Sequence, residues 1–324
     1  MTSKPRVIIT RKIPDACEAE ARQRFDAVTN RDDVALTPDQ LQEALRSADA
    51  LLPTVTDKVT AEILNTPNRR AKIIANFGVG FNNIDIVAAK AAGLTVTNTP
   101  DVLTEDTADI ALTLLLMVAR RAGEGERQVR AGAWTGWRPT HMLGARVSGK
   151  TLGLIGFGRI AKAVARRAHH GLGMKIIFSD PIPPKPEDAA AVGAEPRPTP
   201  EDVLREAEFV SLHCPATPDT RHLINAERLR VMRNDAFLIN TARGDVVDEA
   251  ALIAALKGHT LAGAGLDVFE REPAISPELL TMENVVLLPH LGSATMETRV
   301  AMGLRAIENL TLFFAGKPVR DRVV

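Results

Sequence analysis

The chain has 324 residues, 45% of them hydrophobic and 25% charged, which is room for two separate cores and an ordinary soluble globular composition. Forty basic side chains balance forty acidic ones, so no global field favours nucleic acid or an anionic membrane as partner. Two cysteines, Cys17 and Cys214, make no disulfide framework and fit a reducing cytoplasm, and no signal-type segment or run of ~18 apolar residues points to export or a membrane span.

Short aliphatic runs alternate with helical patterns from end to end. In the first third the runs are 6–10, 50–53, 72–76 and 95–98. Between them lie polar helices such as the one opened by Thr37-Pro38, where threonine suits the cap and proline the first helical position. Pro100-Asp101 then breaks the pattern. Thr104 reads as the cap of a helix whose first turn carries Glu105 and Asp106. That helix is apolar nearly all round, which predicts burial between domains or at a subunit interface. From 150 onward the runs are 151–155, 175–179, 208–213, 236–240, 262–268 and 285–288. Their spacing suits a strand plus a crossover helix, and their continuous apolar character suits a parallel sheet covered on both faces. Residues 181–200 are proline-rich and read as a loop. A last helix over 295–315 is expected to return to the first domain. The fold class is therefore α/β, with two doubly wound parallel-sheet domains: residues 1–99 with 295–324, and residues 100–294.

Chemistry enters at Thr151-Leu-Gly-Leu-Ile-Gly-Phe-Gly-Arg-Ile-Ala161. A strand runs into Gly156-x-Gly158-x-x-Ala161, a helix follows, and the next strand ends at Asp180, about 20 residues on, the layout of a dinucleotide-binding unit. Gly156 permits the tight turn, Gly158 lets a pyrophosphate approach the backbone, and the helix N-terminus supplies N–H groups and a positive dipole end. Asp180 can accept hydrogen bonds from a ribose and repels a 2′-phosphate, which favours NAD and leaves NADP possible.

Three charged or titratable residues follow predicted strand ends, where open parallel sheets bind ligands: Arg243, Glu272 and His290. Singly, each reads most simply as a loop or packing residue. Together beside a dinucleotide turn they match the needs of 2-oxo acid reduction. A guanidinium holds a carboxylate in a fork, an imidazole protonates the developing alkoxide, and a carboxylate orients the imidazole. No cluster has metal-ligand spacing. His169-His170 sits near a helix end, His213 and His222 suit packing or loop hydrogen bonds, and Cys214 has no activating neighbour in sequence.

Over essentially its whole length the chain resembles the D-isomer-specific 2-hydroxyacid dehydrogenases. The matching segments are 76–85 (Asn-Phe-Gly-Val-Gly-Phe-Asn-Asn-Ile-Asp), the Gly156 turn, His213-Cys-Pro215, Asn240-Thr-Ala-Arg-Gly244, Gly265-Leu-Asp-Val-Phe269 and Pro289-His-Leu-Gly-Ser293. Ala161 departs from the family's third glycine and should loosen packing only slightly. The resemblance implies a Rossmann cofactor domain inserted into a flavodoxin-like substrate domain. It implies Arg243 as the substrate-binding and polarising residue, His290 as general acid/base and Glu272 as its partner. The backbone at Val79 and Gly80 would receive the substrate carboxylate. Cofactor contacts would come from Thr104, Gly156, Gly158, Arg159, Ile160, Asp180, Cys214, Thr241, Asp267, His290 and Gly292.

The segment 131–140, with Trp134 and Trp137, resembles the glyoxylate/hydroxypyruvate reductase (D-glycerate dehydrogenase) branch. There the tryptophan matching Trp137 reaches the neighbouring subunit's active site, so a homodimer is expected; the plainer alternative is that both tryptophans pack an interface. Other readings stay open: a dehydrogenase of phosphoglycerate or a branched acid, or an NAD(H)-sensing corepressor on the same scaffold. Formate dehydrogenase fits less well, because that branch has glutamine where this chain has Glu272.

Overall fold

The computed structural model describes residues 4–324. The chain divides into two compact units, one running through Leu103 and resuming at Ala294–Val324, the other spanning Thr104–Ser293.

The first unit is a five-stranded parallel sheet of β1 (Arg6–Ile9), β2 (Asp26–Val28), β3 (Ala50–Leu52), β4 (Ile73–Ala75) and β5 (Thr95–Thr97), in the order β2-β1-β3-β4-β5. The central strands are short and apolar because helices cover both faces. Helix Pro38–Ser47 starts with Thr37 as cap in a reciprocal box with Gln40, and proline occupies its first turn. Its Leu41, Ala44 and Leu45 share a core with Leu51, Ile74 and Val96. Helix Met296–Phe314 packs against helix Asp15–Arg24 and β4. The chain end is tied down as well: Asp321 takes Arg305 through both oxygens at 2.5 and 2.9 Å, and Val323 N–H donates to Val96 O at 2.8 Å.

The second unit is a seven-stranded parallel sheet. Its strands are β6 (Thr151–Ile155), β7 (Lys175–Ser179), β8 (Glu195–Pro196), β9 (Phe209–Leu212), β10 (Phe237–Asn240), β11 (Gly263–Leu266) and β12 (Val285–Leu287), in the order β12-β11-β10-β9-β6-β7-β8. The strand order reverses between β6 and β9, which creates a crevice at their carboxyl ends. One face carries helices Thr104–Ala119 and Arg159–Leu172, the other Pro200–Glu206, Ala226–Val231 and Glu249–Lys257. Leu152, Leu154 and Ile239 are fully buried, each worth roughly 2 kcal/mol of apolar transfer.

One side of helix Thr104–Ala119 is buried as expected: Ala108, Ala111, Leu114, Leu115 and Val118 pack against the second unit's own sheet and helix Arg159–Leu172, while the opposite side carries Leu116 at 39% exposure. Three expectations need correction. Thr104 is the first helical residue and not the cap. Residues 181–200 hold a short helix, Pro186–Ala190, and edge strand β8. Strands β2 and β8 carry no apolar pattern because they are exposed edges. Among the described residues no helix is long and apolar enough to cross a membrane, and no group of three His, Cys, Asp or Glu side chains could hold a metal ion.

Candidate active site

The carboxyl ends of the second unit's strands carry every sequence-derived cofactor candidate except Thr104, which begins its helix half-buried. After β6 the chain turns through Gly156 at φ +87°, where a Cβ would sit 3.0 Å from the His213 and Cys214 backbone. An L side chain is disfavoured there by both conformation and contact. Two residues on, a Cβ at Gly158 would meet nothing within 4 Å, so that glycine keeps open the space in front of helix Arg159–Leu172. This helix has neither a side-chain cap nor an acid in its first turn, unlike helices Thr104–Ala119 and Glu249–Lys257. Its positive end, with Arg159 and Ile160, is therefore left to an outside anion.

Asp180 follows β7 and already works on the turn, its two oxygens accepting from Phe157 N–H at 2.6 Å and Ile182 N–H at 2.7 Å. Each oxygen keeps a lone pair for a ribose hydroxyl. Thr241, after β10, has a buried hydroxyl with no protein partner. Leaving such a group unpaired costs about 1–3 kcal/mol, which a ligand atom could recover. The free glycine-loop space, the uncapped helix and the orphaned hydroxyl fit a dinucleotide across these loops. Cys214 lines the same edge as a neutral thiol, pushed up by burial to about 11. His213 is held neutral, its pKa lowered by burial to about 4, and its Nε2 meets Ser211 Oγ at 2.9 Å.

Arg243, Glu272 and His290 come together on neighbouring loops. His290 Nδ1 lies 2.8 Å from Glu272 Oε2, each side chain 34% exposed. A carboxylate at Nδ1 demands a proton there, so Nε2 is the nitrogen left to face a substrate. Glu272 Oε1 accepts from Phe269 N–H at 3.0 Å. Burial works to raise the Glu272 carboxyl, but the His290 hydrogen bond and charge, the Phe269 N–H and the Arg243 guanidinium outweigh it and hold the carboxyl below its ordinary value. Arg243 is pulled the other way: desolvation lowers its pKa against the attraction of Glu272 and Asp245. Its Nη1 donates to Ala242 O at 2.6 Å.

Backbone devices fix this arrangement. His290 adopts φ +56°, a left-handed conformation costly for a non-glycine residue. Asp267 sustains it. Its carbonyl accepts His290 N–H at 2.9 Å, and its carboxylate takes Leu291 N–H at 2.6 Å and Gly292 N–H at 2.8 Å. Burial raises the Asp267 carboxyl in spite of those bonds and the nearby His290. Thr107 Oγ1 closes the turn on Gly292 O at 2.8 Å. Sequence reasoning missed Asn240, whose amide donates to Arg243 O at 2.8 Å and accepts Ala242 N–H at 3.0 Å. It also missed Glu249, which takes Glu270 N–H and Ser276 Oγ on either side of Glu272. A first-turn acid reads as a dipole partner, so nothing local announces the second role.

Gly244 lets two of these loops cross. A Cβ there would lie 1.9 Å from Phe269 C and 2.4 Å from Glu270 N. Both are backbone atoms that cannot swing aside. Gly244→Ala should therefore destabilise by roughly 3 kcal/mol and lower Tm by roughly 6–12 °C; thermal unfolding checks this, and an unchanged Tm would contradict the crossing.

Val79 and Gly80 belong to the other unit, in the loop after β4. Trp137 is 82% and Trp134 54% exposed, in a segment outside any helix or strand.

The chain is similar to known proteins over nearly its whole length. Residues 112–292 match the family model described as D-isomer specific 2-hydroxyacid dehydrogenase, NAD binding domain. A glyoxylate reductase of Thermococcus litoralis is 48% identical over 97% of this chain and 95% of that protein. A glycerate dehydrogenase of Hyphomicrobium methylovorum is 38% identical over 97% of each. The crystal structure of an NADPH-dependent glyoxylate/hydroxypyruvate reductase from Sinorhizobium meliloti, in complex with NADP and malonate, superposes with a TM-score of 0.88 at 35% identity, covering 99% of this chain and 97% of that one. With a doubly wound sheet, a dinucleotide turn and this degree of likeness over its full length, the chain belongs to the D-isomer specific 2-hydroxyacid dehydrogenases and is an NAD(P)-dependent oxidoreductase.

Proposed function

We propose that this enzyme reduces a small 2-oxo acid, glyoxylate or hydroxypyruvate, to the D-2-hydroxy acid. The observation that carries the site assignment is the 2.8 Å bond between His290 and Glu272 on loops adjoining Arg243. The substrate assignment leans on the glyoxylate and glycerate activities named for its relatives. A bound nicotinamide would supply the hydride. Arg243 would bind the oxo acid and polarise its carbonyl. His290 Nε2 would donate the proton to the developing alkoxide, and Glu272 would hold the imidazole in position. The backbone at Val79 and Gly80 is assigned to the substrate carboxylate, which makes the first unit the substrate domain and the second the cofactor domain.

Thr104, Gly156, Gly158, Arg159, Ile160, Asp180, Cys214, Thr241, Asp267, His290 and Gly292 are assigned to the cofactor. Asp180 supports NAD over NADP, because a 2′-phosphate would face a carboxylate already fixed by two N–H groups. Exposed Trp134, Trp137 and Leu143 support a homodimer in which this segment meets a second copy and Trp137 walls its active site. Both cysteines are free thiols, which accords with the cytoplasm.

Steady-state kinetics on glyoxylate, hydroxypyruvate, pyruvate and 2-oxoisocaproate with NADH and NADPH tests the reading. Highest kcat/KM with one of the first two acids and NADH is expected. Preference for the branched acid overturns the substrate assignment, strong preference for NADPH overturns the role of Asp180, and no turnover on any acid favours a nucleotide-sensing protein.

Glu272→Gln gives a pH test. Despite burial, the His290 hydrogen bond and charge hold the Glu272 carboxyl below its ordinary value, so the carboxylate that orients the imidazole is ionised at neutral pH and is lost as pH falls through that depressed value. The acid limb of kcat/KM that reports this carboxylate should be absent in the glutamine variant, with kcat lowered. An unmoved acid limb would detach Glu272 from the proton transfer.

A further inference from the structure

The loop after β4 is gripped by its carbonyl oxygens. Gly78 O accepts from Thr99 N–H at 3.0 Å, Val79 O from Asn98 Nδ2 at 2.8 Å, and Gly80 O from Asn76 Nδ2 at 2.8 Å. The N–H groups of Val79, Gly80 and Phe81 donate to no group among the described residues. These two facts are linked by the peptide plane. In a trans peptide the C=O and the following N–H point in opposite directions, so a bond that fixes one aims the other. Thr99 thereby aims Val79 N–H, Asn98 aims Gly80 N–H, and Asn76 aims Phe81 N–H.

The amide directions are dictated by their surroundings. Asn83 Nδ2 faces three oxygens, Thr54 O at 3.1 Å, Asp57 O at 3.2 Å and Asn76 Oδ1 at 3.1 Å. With its oxygen engaged there, fully buried Asn76 must turn its nitrogen to Gly80 O. Val79 and Gly80 are half-buried and Phe81 is exposed, so the three donors lie where a small anion can reach them. Successive outward N–H groups of this kind make an anion-binding concavity.

We propose that Asn98 and Asn76 are positioning residues for substrate, holding two carbonyls inward so that the N–H groups of Gly80 and Phe81 present a preset cradle to the oxo acid's carboxylate. This rests on the proposed assignment of the Val79–Gly80 backbone to that carboxylate. It adds Phe81 N–H as a further donor and makes the cradle's strength depend on two side chains that do not themselves touch the substrate.

The test is kinetic, on full-length Asn98→Ala and Asn98→Asp, with Asn76→Ala alongside. Asn98 is half-buried, and Asp keeps its outline while replacing the donor by a carboxylate facing Val79 O. KM for glyoxylate and Kd for oxamate on the enzyme–NADH complex should rise roughly tenfold in Asn98→Ala and further in Asn98→Asp. KM for NADH should stay within about twofold, and kcat should fall less than KM rises. Unchanged oxo-acid KM in both Asn98 variants overturns the proposal. So does a rise matched by an equal rise for NADH and a lower Tm, because that is what a merely structural amide would do. The underlying reading is tested separately in the wild type by comparing glyoxylate with its methyl ester. No discrimination removes the carboxylate assignment itself, whereas strong discrimination with unaffected Asn98 variants removes only the clamp.

Discussion

Replacing His290 by alanine is expected to cut kcat by ~10²–10⁴-fold, with a much smaller effect on KM for the oxo acid. The reasoning starts from the tautomer. Glu272 fixes the proton on Nδ1, so Nε2 alone can deliver a proton to an alkoxide. No second acid stands ready among the neighbours: the Cys214 thiol is pushed up to about 11 and Arg243 does not give up its proton. Asp267, though raised by burial, spends both oxygens on the Leu291 and Gly292 N–H groups. Alanine also removes the imidazole that helps hold the Glu272 carboxyl low. That carboxyl's depressed pKa contributes stability above the ordinary carboxylate range, lost as pH falls through the depressed value. Part of it should disappear in the variant, seen as a flatter fall of Tm on acidification. Alanine at 290 relaxes little backbone strain, because the left-handed φ is imposed by Asp267 and Thr107 and not by the imidazole. Near-wild-type turnover in His290→Ala would remove His290 from the proton-transfer step.

The dinucleotide turn was legible because its demands are local. Gly156 must take a positive φ, Gly158 must leave space, and each shows as a glycine at fixed spacing between a strand and a helix. The buried strands were legible for a similar reason, since burial on both faces leaves a continuous apolar run. Strands β2 and β8 were not, because Asp26–Val28 and Glu195–Pro196 lie at sheet edges where water tolerates any side chain. The proximity of Arg243, Glu272 and His290 was legible from their places just after strand ends of one parallel sheet, and the resemblance added the role assigned to each. What holds them was invisible. Glu249 and Asp267 act through backbone groups far away in sequence, Asn240 through its own loop, and an Asn, Asp or Glu leaves no sequence trace of which carbonyl or N–H it has found. The all-apolar helix Thr104–Ala119 was legible as buried, but composition does not say against which surface: its own sheet and helix Arg159–Leu172 cover one side.

Arg243→Ala is expected to lower kcat/KM by roughly 10²–10⁴-fold, divided between a higher KM for the oxo acid and a lower kcat, with KM for NADH nearly unchanged. A guanidinium offers two parallel donors to a substrate, and charge-assisted bonds of that kind are worth about 1.5–3 kcal/mol each. The division follows from where the charge sits. Binding the ground-state carboxylate sets KM, while polarising the carbonyl stabilises negative charge that grows only toward the transition state and so sets kcat. Desolvation of Arg243 strengthens both effects by lowering the local dielectric. Arg243→Lys discriminates charge from geometry. Lysine restores the positive charge but not the planar fork, and the backbone there is set by Asn240 through Arg243 O and Ala242 N–H, which the substitution leaves alone. If the fork matters, Lys should recover only a small part of the loss; full recovery would show that a point charge suffices and that the bidentate assignment is wrong. Loss of NADH affinity in either variant would instead place Arg243 on the cofactor.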